Sequence, residues 1–390
     1  AAPGTVRRYG LAASFRDVLG APEPVRRALA LYPAFDCWLW SAGPCVSGER
    51  PAAEAETLLS YFQSFAAACA ALSGTRRTLR VRLTPEARFH ATGTDEAFEL
   101  PRAAAGQDAV CEAAGGRLSL RWGKVPGRRV RLAALAEGMW VEPRDPLVLQ
   151  PVVMHGLARF SAAAERRFTS VLRGAMDRIR AVDAPLHEEM RAFLRVIVPL
   201  DNPKSYGSVS SSYRNLRGAL CLSHSDDSLL QEETLIHEFC HQKVNLLLAA
   251  DPLLEPGQGA QVVYSPLRPD ARRLAGLLLG AHAFINVDRY LLRVLRRERF
   301  PRKVADSVRT NVARRLCHVD DMLRTVSMYA RLTPAGADFL TSMWRAHGLT
   351  LHDALDIPEA LMEAGRKRWR EHRLEKALGE TGFYRAAAEG

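Results

Sequence analysis

Glu233-Thr-Leu-Ile-His-Glu-Phe-Cys-His-Gln-Lys-Val-Asn-Leu-Leu-Leu-Ala249 carries the strongest signal in this chain, an H-E-x-x-H motif. Apolar residues recur at helical spacing around the motif, so the stretch predicts a half-buried helix. On a helix, residues four apart share one face, so His237 and His241 can offer two imidazoles to one metal ion, with Glu238 beside them. Histidine and glutamate are costly core residues unless they find polar partners, which favours a metal site over plain packing.

A catalytic metal needs a third protein ligand. Residues Arg272 to Arg299 predict a further helix, and His282 lies on its inward face. Asp288 lies roughly 240° from His282 around that helix and should point elsewhere. We therefore expect His282 to be the third ligand, with His224, just before the motif helix, as the runner-up.

The residues alone leave the metal and its chemistry open. A zinc metallopeptidase of the zincin type would use Glu238 to activate a metal-bound water, whereas three histidines with open positions can equally hold Fe(II) for oxygen chemistry. The usual peptidase continuations, H-x-x-G-x-x-H or a later helix with E-x-x-x-D, do not follow the motif. This lack weakens the peptidase interpretation.

Composition narrows the class of protein. The 390 residues are 47% hydrophobic and 25% charged, which is typical of a soluble globular chain, and no apolar run approaches the length of a membrane span. We therefore expect a cytoplasmic protein without a membrane partner. The net charge of +11 fits a solvated basic face or, as the functional interpretation, attraction of an acidic partner such as a peptide. No known nucleic-acid module accompanies it. Seven scattered cysteines without a C-x-x-C pair predict free thiols.

The pattern along the chain predicts an α+β fold with two domains. Residues 1–147 read as a mixed, partly β domain, with recognition of the peptide or its leader as one interpretation of its role. Residues 148–390 read as the H-E-x-x-H catalytic domain, whose C-terminal part is largely helical. Within it, Thr333 is predicted to cap a helix that begins at Pro334.

Several stretches together resemble the HEXXH-motif peptide-modification proteins of bacterial ribosomal-peptide (RiPP) gene clusters, over roughly residues 200 to 345. They are Gly218 to Ser223, Glu233 to Asn245, Tyr264 to Arg272 and Gly276 to Phe284. Members of that family are described as Fe(II)- and 2-oxoglutarate-dependent peptide β-hydroxylases with a zincin-like core. The resemblance therefore implies a dioxygenase that hydroxylates a side chain of a ribosomally synthesised precursor peptide.

The resemblance also implies roles for individual residues. His237, His241 and His282 would hold Fe(II), and Glu238 would hydrogen-bond a water or position the peptide rather than activate a nucleophile. Arg268, with Tyr264 and Ser265 beside it, would bind the distal carboxylate of 2-oxoglutarate. Lys243 is either a further cosubstrate contact or a surface lysine. Ser211, Ser212 and Arg214 precede an edge strand and are candidates for contacting the peptide substrate, with a solvated loop as the alternative interpretation.

Overall fold

The computed structural model describes residues 2–142, 144–149, 161–202, 207–266 and 271–388. Within these ranges the protein is mixed α and β with several small sheets, and its C-terminal half is helical, as the sequence predicts. None of the helices in the described ranges combines the length and the hydrophobicity that crossing a membrane requires. The seven cysteines form no disulfide in this part of the chain.

Fourteen α-helices lie in the described ranges: α1 (Ala2–Tyr9), α2 (Leu11–Gly20), α3 (Glu23–Ala30), α4 (Pro33–Val46), α5 (Ala52–Ser60), α6 (Phe62–Leu72), α7 (Pro146–Leu149), α8 (Ala162–Val182), α9 (Ala184–Phe193), α10 (Ser228–Ala250), α11 (Leu274–Arg297), α12 (Arg302–Tyr329), α13 (Pro334–Asp353) and α14 (Glu359–Ala388). The strands in the same ranges are β1 (Arg77–Arg82), β2 (Arg88–His90), β3 (Glu96–Glu99), β4 (Asp108–Ala114), β5 (Arg117–Trp122), β6 (Val125–Pro126), β7 (Arg128–Arg131), β8 (Ala133–Ala136), β9 (Met139–Val141), β10 (Val196–Leu200), β11 (Ser210–Ser211), β12 (Ala219–Ser223), β13 (Val262–Val263) and β14 (Arg272–Arg273).

The chain divides into two compact units. The first unit contains Ala1–Asp177 and Pro185–Gln231, and the second contains Arg178–Ala184 and Glu232–Gly390. The division therefore does not fall at the predicted boundary between residues 147 and 148. The reason is that β9 pairs in parallel with β10, so strands from both sides of that boundary belong to one sheet.

The first unit contains three sheets among its described residues. Their strand orders are β1-β4-β5-β6, β2-β3-β7 and β11-β12-β10-β9-β8. Strands β10 and β12 are parallel and buried along their whole length, as expected for the centre of a covered sheet. Gly218 leads into β12 with φ of 84°, and a Cβ there would lie 3.1 Å from the carbonyl oxygen of Phe193. Only glycine fits this close approach without strain.

The second unit is built from helices. Its core forms between α11, α12 and α13, with Leu278, Ile285 and Leu323 among the buried members. Thr333 caps α13, accepting a hydrogen bond from the Gly336 backbone N–H at 3.0 Å, and Pro334 begins the helix. The sequence predicted both roles. A Cβ on Gly336 would lie 1.8 Å from the Leu253 carbonyl oxygen, so a larger residue would displace that loop.

Two predicted elements differ from the structure at their ends. The helix predicted from Arg272 begins at Leu274, because Arg272 pairs with Val263 in the short ladder between β13 and β14. The strand predicted from Tyr206 to Ser212 is reduced to β11, and Tyr206 itself lies outside the described residues.

Candidate functional site

The H-E-x-x-H motif lies in the middle of α10. His237 and His241 are one helical turn apart, and their rings meet edge to face with centroids 4.5 Å apart. Both side chains are partly exposed and line one cavity of about 260 Å³. The predicted placement of two imidazoles on one face of a helix is confirmed.

Helix α11 forms another wall of this cavity. Gly276, Gly280 and Phe284 line it at intervals of four residues, so they follow one face of the helix. The Phe284 ring packs against His237 with centroids 4.8 Å apart. The two glycines leave room that side chains would fill: a Cβ on Gly276 would meet nothing within 4 Å, and one on Gly280 would lie 3.4 Å from Met322 Sδ.

Polar groups reach the cavity from the segment before α11. Ser265, which is 4% exposed, and Arg272 on β14 both line it. The Arg272 charge acts on His241 and helps to lower the pKa of that imidazole. The cavity thus combines two histidines, a hydroxyl and a guanidinium, a set that suits an anionic ligand beside a metal.

The three predicted histidine ligands have lowered pKa values. Burial, with the charges of His241 and Arg315, lowers the pKa of His237 to about 3. Burial and Arg272 lower the pKa of His241 to about 4, and burial and Lys243 lower that of His282 to about 4. All three imidazoles are therefore neutral near pH 7, the state in which histidine binds metals.

His282 is not among the residues that line the cavity. It lies two residues from both Gly280 and Phe284, roughly 200° around the helix from the cavity face. Its ring packs against Phe339 with centroids 5.7 Å apart, and a hydrogen bond links it to the Cys240 backbone. The structure therefore brings His237 and His241 together at the cavity and places His282 beside α10 on another face.

Among the residues that the structure describes, one set of three possible metal ligands comes together, and it lies in the first unit. The set is His90, Glu142 and Asp145, whose ligand atoms lie within 4.8 Å of one another. None of the three belongs to a motif that the sequence displays.

Glu238 is 4% exposed and is not among the residues that line the cavity. A ligand in the cavity would therefore reach His237 and His241 but not Glu238. Tyr264 and Lys243 do not line the cavity either, and Lys243 Nζ lies 5.8 Å from the Phe239 ring centroid. Arg268 lies outside the described residues.

The remaining candidates lie in the first unit. Ser211 ends β11, an edge strand, and Ser212 and the exposed Arg214 follow it. His224, the runner-up metal ligand, has its Nε2 2.9 Å from Asp226 Oδ1, so a carboxylate already occupies that nitrogen. Its Nδ1 is buried without a hydrogen-bond partner, and the role of His224 as a metal ligand stays a prediction.

A buried ion-pair network supports the motif helix. Arg315 on α12 donates from Nε to Asp288 Oδ1 on α11 at 2.6 Å, and from a terminal nitrogen to Glu233 Oε1 on α10 at 2.8 Å. Arg315 is 5% exposed and Asp288 is 0% exposed. As predicted, Asp288 does not share the direction of His282. The network joins three helices close to His237, whose pKa the Arg315 charge helps to lower.

Arg272 and the two cavity glycines are the site residues that sequence reasoning did not single out. Their signal was present, since Gly276, Gly280 and Phe284 repeat at a spacing of four and Arg272 ends the Tyr264 to Arg272 stretch.

Compared with protein-family models and with curated proteins, the sequence matches none of them.

Proposed function

We propose that the protein is an Fe(II)- and 2-oxoglutarate-dependent dioxygenase that β-hydroxylates a side chain of a ribosomally synthesised precursor peptide. The observation that carries the proposal is the shared cavity of His237, His241, Ser265 and Arg272. A dicarboxylate cosubstrate needs a metal at one end and a fixed cation at the other, and these residues offer both in a volume suited to a small molecule. The resemblance to the HEXXH-motif RiPP proteins, with their zincin-like core, belongs to the same proposal.

His237 and His241 are the proposed iron ligands, and His282 is the proposed third. Their neutral imidazoles suit this role, and the Nδ1 atoms of His241 and His282 are buried without a hydrogen-bond partner. Bound iron would supply the activation of oxygen. His282 would have to turn from its place beside Phe339 to share a metal with the other two, which makes it the least secured of the three.

The chain's own side chains have separate tasks in this proposal. Arg272 binds the distal carboxylate of 2-oxoglutarate and Ser265 donates a further hydrogen bond, whereas Arg268 stays a prediction. Phe284 covers one side of His237 and excludes water from it. Arg315 holds α10 against α11 through Glu233 and Asp288, which fixes the motif helix before any ligand binds.

The precursor peptide is proposed to bind as an added strand. β11 is an edge strand with few residues, and Ser212 and Arg214 continue from it. The net charge of +11 would favour an acidic peptide. Tyr264 and Lys243 keep their predicted part in cosubstrate binding only if the cavity rearranges, since neither lines it.

The alternative, a zinc metallopeptidase of the zincin type, requires Glu238 next to a metal-bound water. Glu238 is 4% exposed and does not line the cavity, and this observation favours the hydroxylase.

The test uses the full chain, loaded anaerobically with Fe(II) and then titrated with 2-oxoglutarate. We expect a new visible absorption band on adding 2-oxoglutarate, and succinate on admitting air. Both should be lost in His241→Ala, and both should be retained in Arg331→Met, which changes an arginine whose side chain is 68% exposed. If no band and no succinate appear, while the zinc-loaded chain cleaves peptides and Glu238→Gln stops it, the alternative is correct.

A further inference from the structure

His90, Glu142 and Asp145 form a closed cluster in the first unit. His90 ends β2, Glu142 directly follows β9, and Asp145 precedes α7. Their exposed fractions are 4%, 1% and 0%, and ligand atoms from all three lie within 4.8 Å of one another. Residues this far apart in the chain come together only through the fold, so no local motif marks them.

Backbone groups fix both carboxylates. Glu142 Oε1 accepts hydrogen bonds from the Arg144 and Asp145 backbone N–H groups at 2.8 and 3.0 Å. Asp145 Oδ1 accepts from the Leu147 N–H at 3.0 Å, and its Oδ2 accepts from the Tyr61 hydroxyl at 2.5 Å. These contacts hold the carboxylates in place before a ligand binds, as supporting hydrogen bonds do around metal sites.

His90 is the polar group that the fold leaves unsatisfied. Neither ring nitrogen makes a hydrogen bond, although the side chain is 4% exposed. Nδ1 lies 3.4 Å from Glu142 Oε2, which is close enough for an ion pair but lacks hydrogen-bond geometry. Against the effect of burial, the Glu142 and Asp145 carboxylates raise the pKa of His90. Nε2 stays buried without a partner, and a metal ion in place of the proton would satisfy this arrangement of an imidazole and two carboxylates.

The charges of the cluster balance only when a further cation or a proton joins them, and burial raises the pKa of the Asp145 carboxyl. Among the described residues, no lysine or arginine forms an ion pair with Glu142 or Asp145. Arg88 and Arg144, the nearby arginines, pair with Glu99 at 2.9 and 3.9 Å. Two buried carboxylates and one imidazolium would leave one negative charge in a closed site, which costs several kcal/mol by the usual estimate. A divalent cation with a neutral imidazole brings the sum to zero.

We propose that His90, Glu142 and Asp145 bind a zinc ion that stabilises the first unit by tying β2 to the turn between β9 and α7. Zinc accepts a histidine nitrogen and carboxylate oxygens, and Tyr61, whose hydroxyl touches Asp145, is placed to hold that ligand in position. All three ligands are almost fully buried, so the proposed ion is closed off from substrate, and a water is expected as its fourth ligand.

The experiment measures zinc directly. The full chain is prepared with His237→Ala and His241→Ala, so that the motif helix no longer binds metal, and zinc is measured by mass spectrometry after dialysis. We expect about one zinc ion per chain, as a closed structural site retains. Adding Glu142→Gln, which preserves shape and the oxygen that accepts the two backbone N–H groups, should remove it. Adding Glu112→Gln instead, at a side chain 47% exposed, should not.

A motif-deficient chain that retains no zinc and does not take it up from added zinc chloride would overturn the proposal, leaving a His90–Glu142 ion pair alone. Should the Glu142 variant fail to fold, the motif-deficient chain still decides. We expect a chelator to lower the melting temperature of that chain. If the chelator removes zinc and the melting temperature does not change, that result also contradicts the proposed site. Activity of the motif site does not enter either readout.

Discussion

Arg315→Met tests whether the buried ion-pair network holds the motif helix in place. The substitution removes the partner that lies 2.6 Å from Asp288, a carboxylate with 0% exposure, and the second contact, to Glu233 at 2.8 Å. Methionine fills much of the same space, so lost packing adds little. Breaking a buried pair by removing one member costs about 3–5 kcal/mol, because Asp288, whose pKa burial raises to about 7 even beside Arg315, must then stay charged without its partner or take up a proton.

Hydrogen–deuterium exchange of the α10, α11 and α12 amides measures this loss within the second unit. A loss of that size raises the exchange rates of the slowest amides by roughly 10²- to 10⁴-fold. Arg324→Met is the matched control, since Arg324 lies on the same helix and pairs with Asp320 at 2.6 Å while its side chain is 66% exposed. There we expect a change below about 0.5 kcal/mol.

The double variant Arg315→Met with Asp288→Asn separates charge from packing. Replacing the Asp288 carboxyl with an amide should recover part of the lost protection, because the amide requires neither a buried charge nor the uptake of a proton. If Arg315→Met and Arg324→Met change the exchange rates equally, or if Asp288→Asn makes the first variant worse, the reasoning fails.

Three further predictions concern the cavity, a helix cap and the histidines. Arg272→Met should weaken 2-oxoglutarate binding roughly 10- to 100-fold while Fe(II) binding persists, since a charge-assisted contact is worth about 1.5–3 kcal/mol. Anaerobic titration measures both affinities, and an unchanged dissociation constant for 2-oxoglutarate would remove Arg272 from the proposal. Thr333→Ala should lower the free energy of unfolding by about 1 kcal/mol because the helix cap is lost. The control Thr341→Ala, on the same helix, should lower it by much less, and equal effects of the two variants in urea unfolding would contradict the cap. In metal-free protein, the pKa values of His237, His241 and His282 lie below the unfolded value of 6.5, so the unfolded chain takes up more protons and stability falls as pH drops from about 6.5 to about 4. The urea midpoint of His237→Gln should fall less over that range than that of the unaltered chain, and parallel curves would contradict the assignment.

The regular elements were predictable where one periodicity dominates. The alternation of polar and apolar residues in 117–122 predicts a strand with the ends that β5 has, and Thr-Pro at residues 333 and 334 predicted the start of α13. Strand β4 was missed because Asp108–Ala114 is rich in alanine and acidic residues, and it is a strand because β1 and β5 pair with it on both sides. Tertiary pairing there overrides local propensity.

The site was predictable only within one helix. The spacing of His237 and His241 fixes their shared face regardless of what packs around them. The role of His282 depended on which way α11 is rotated, and the glycine face of that helix, not the His282 face, lines the cavity. The cluster of His90, Glu142 and Asp145 joins strands and a turn that pair through different partners, so no pattern in the sequence could place them together.

Gly280 links the thermal stability of the second unit to the size of its cavity. An alanine in the interior of a helix is favoured over glycine by about 1 kcal/mol, and its Cβ would make an ordinary contact, 3.4 Å from the flexible Met322 Sδ. Gly280→Ala is therefore expected to give a chain that melts at a higher temperature and has less room beside its two histidines. A more stable α11 favours alanine at position 280, whereas space for a ligand favours glycine. The glycine in this chain keeps the space at the expense of helix stability.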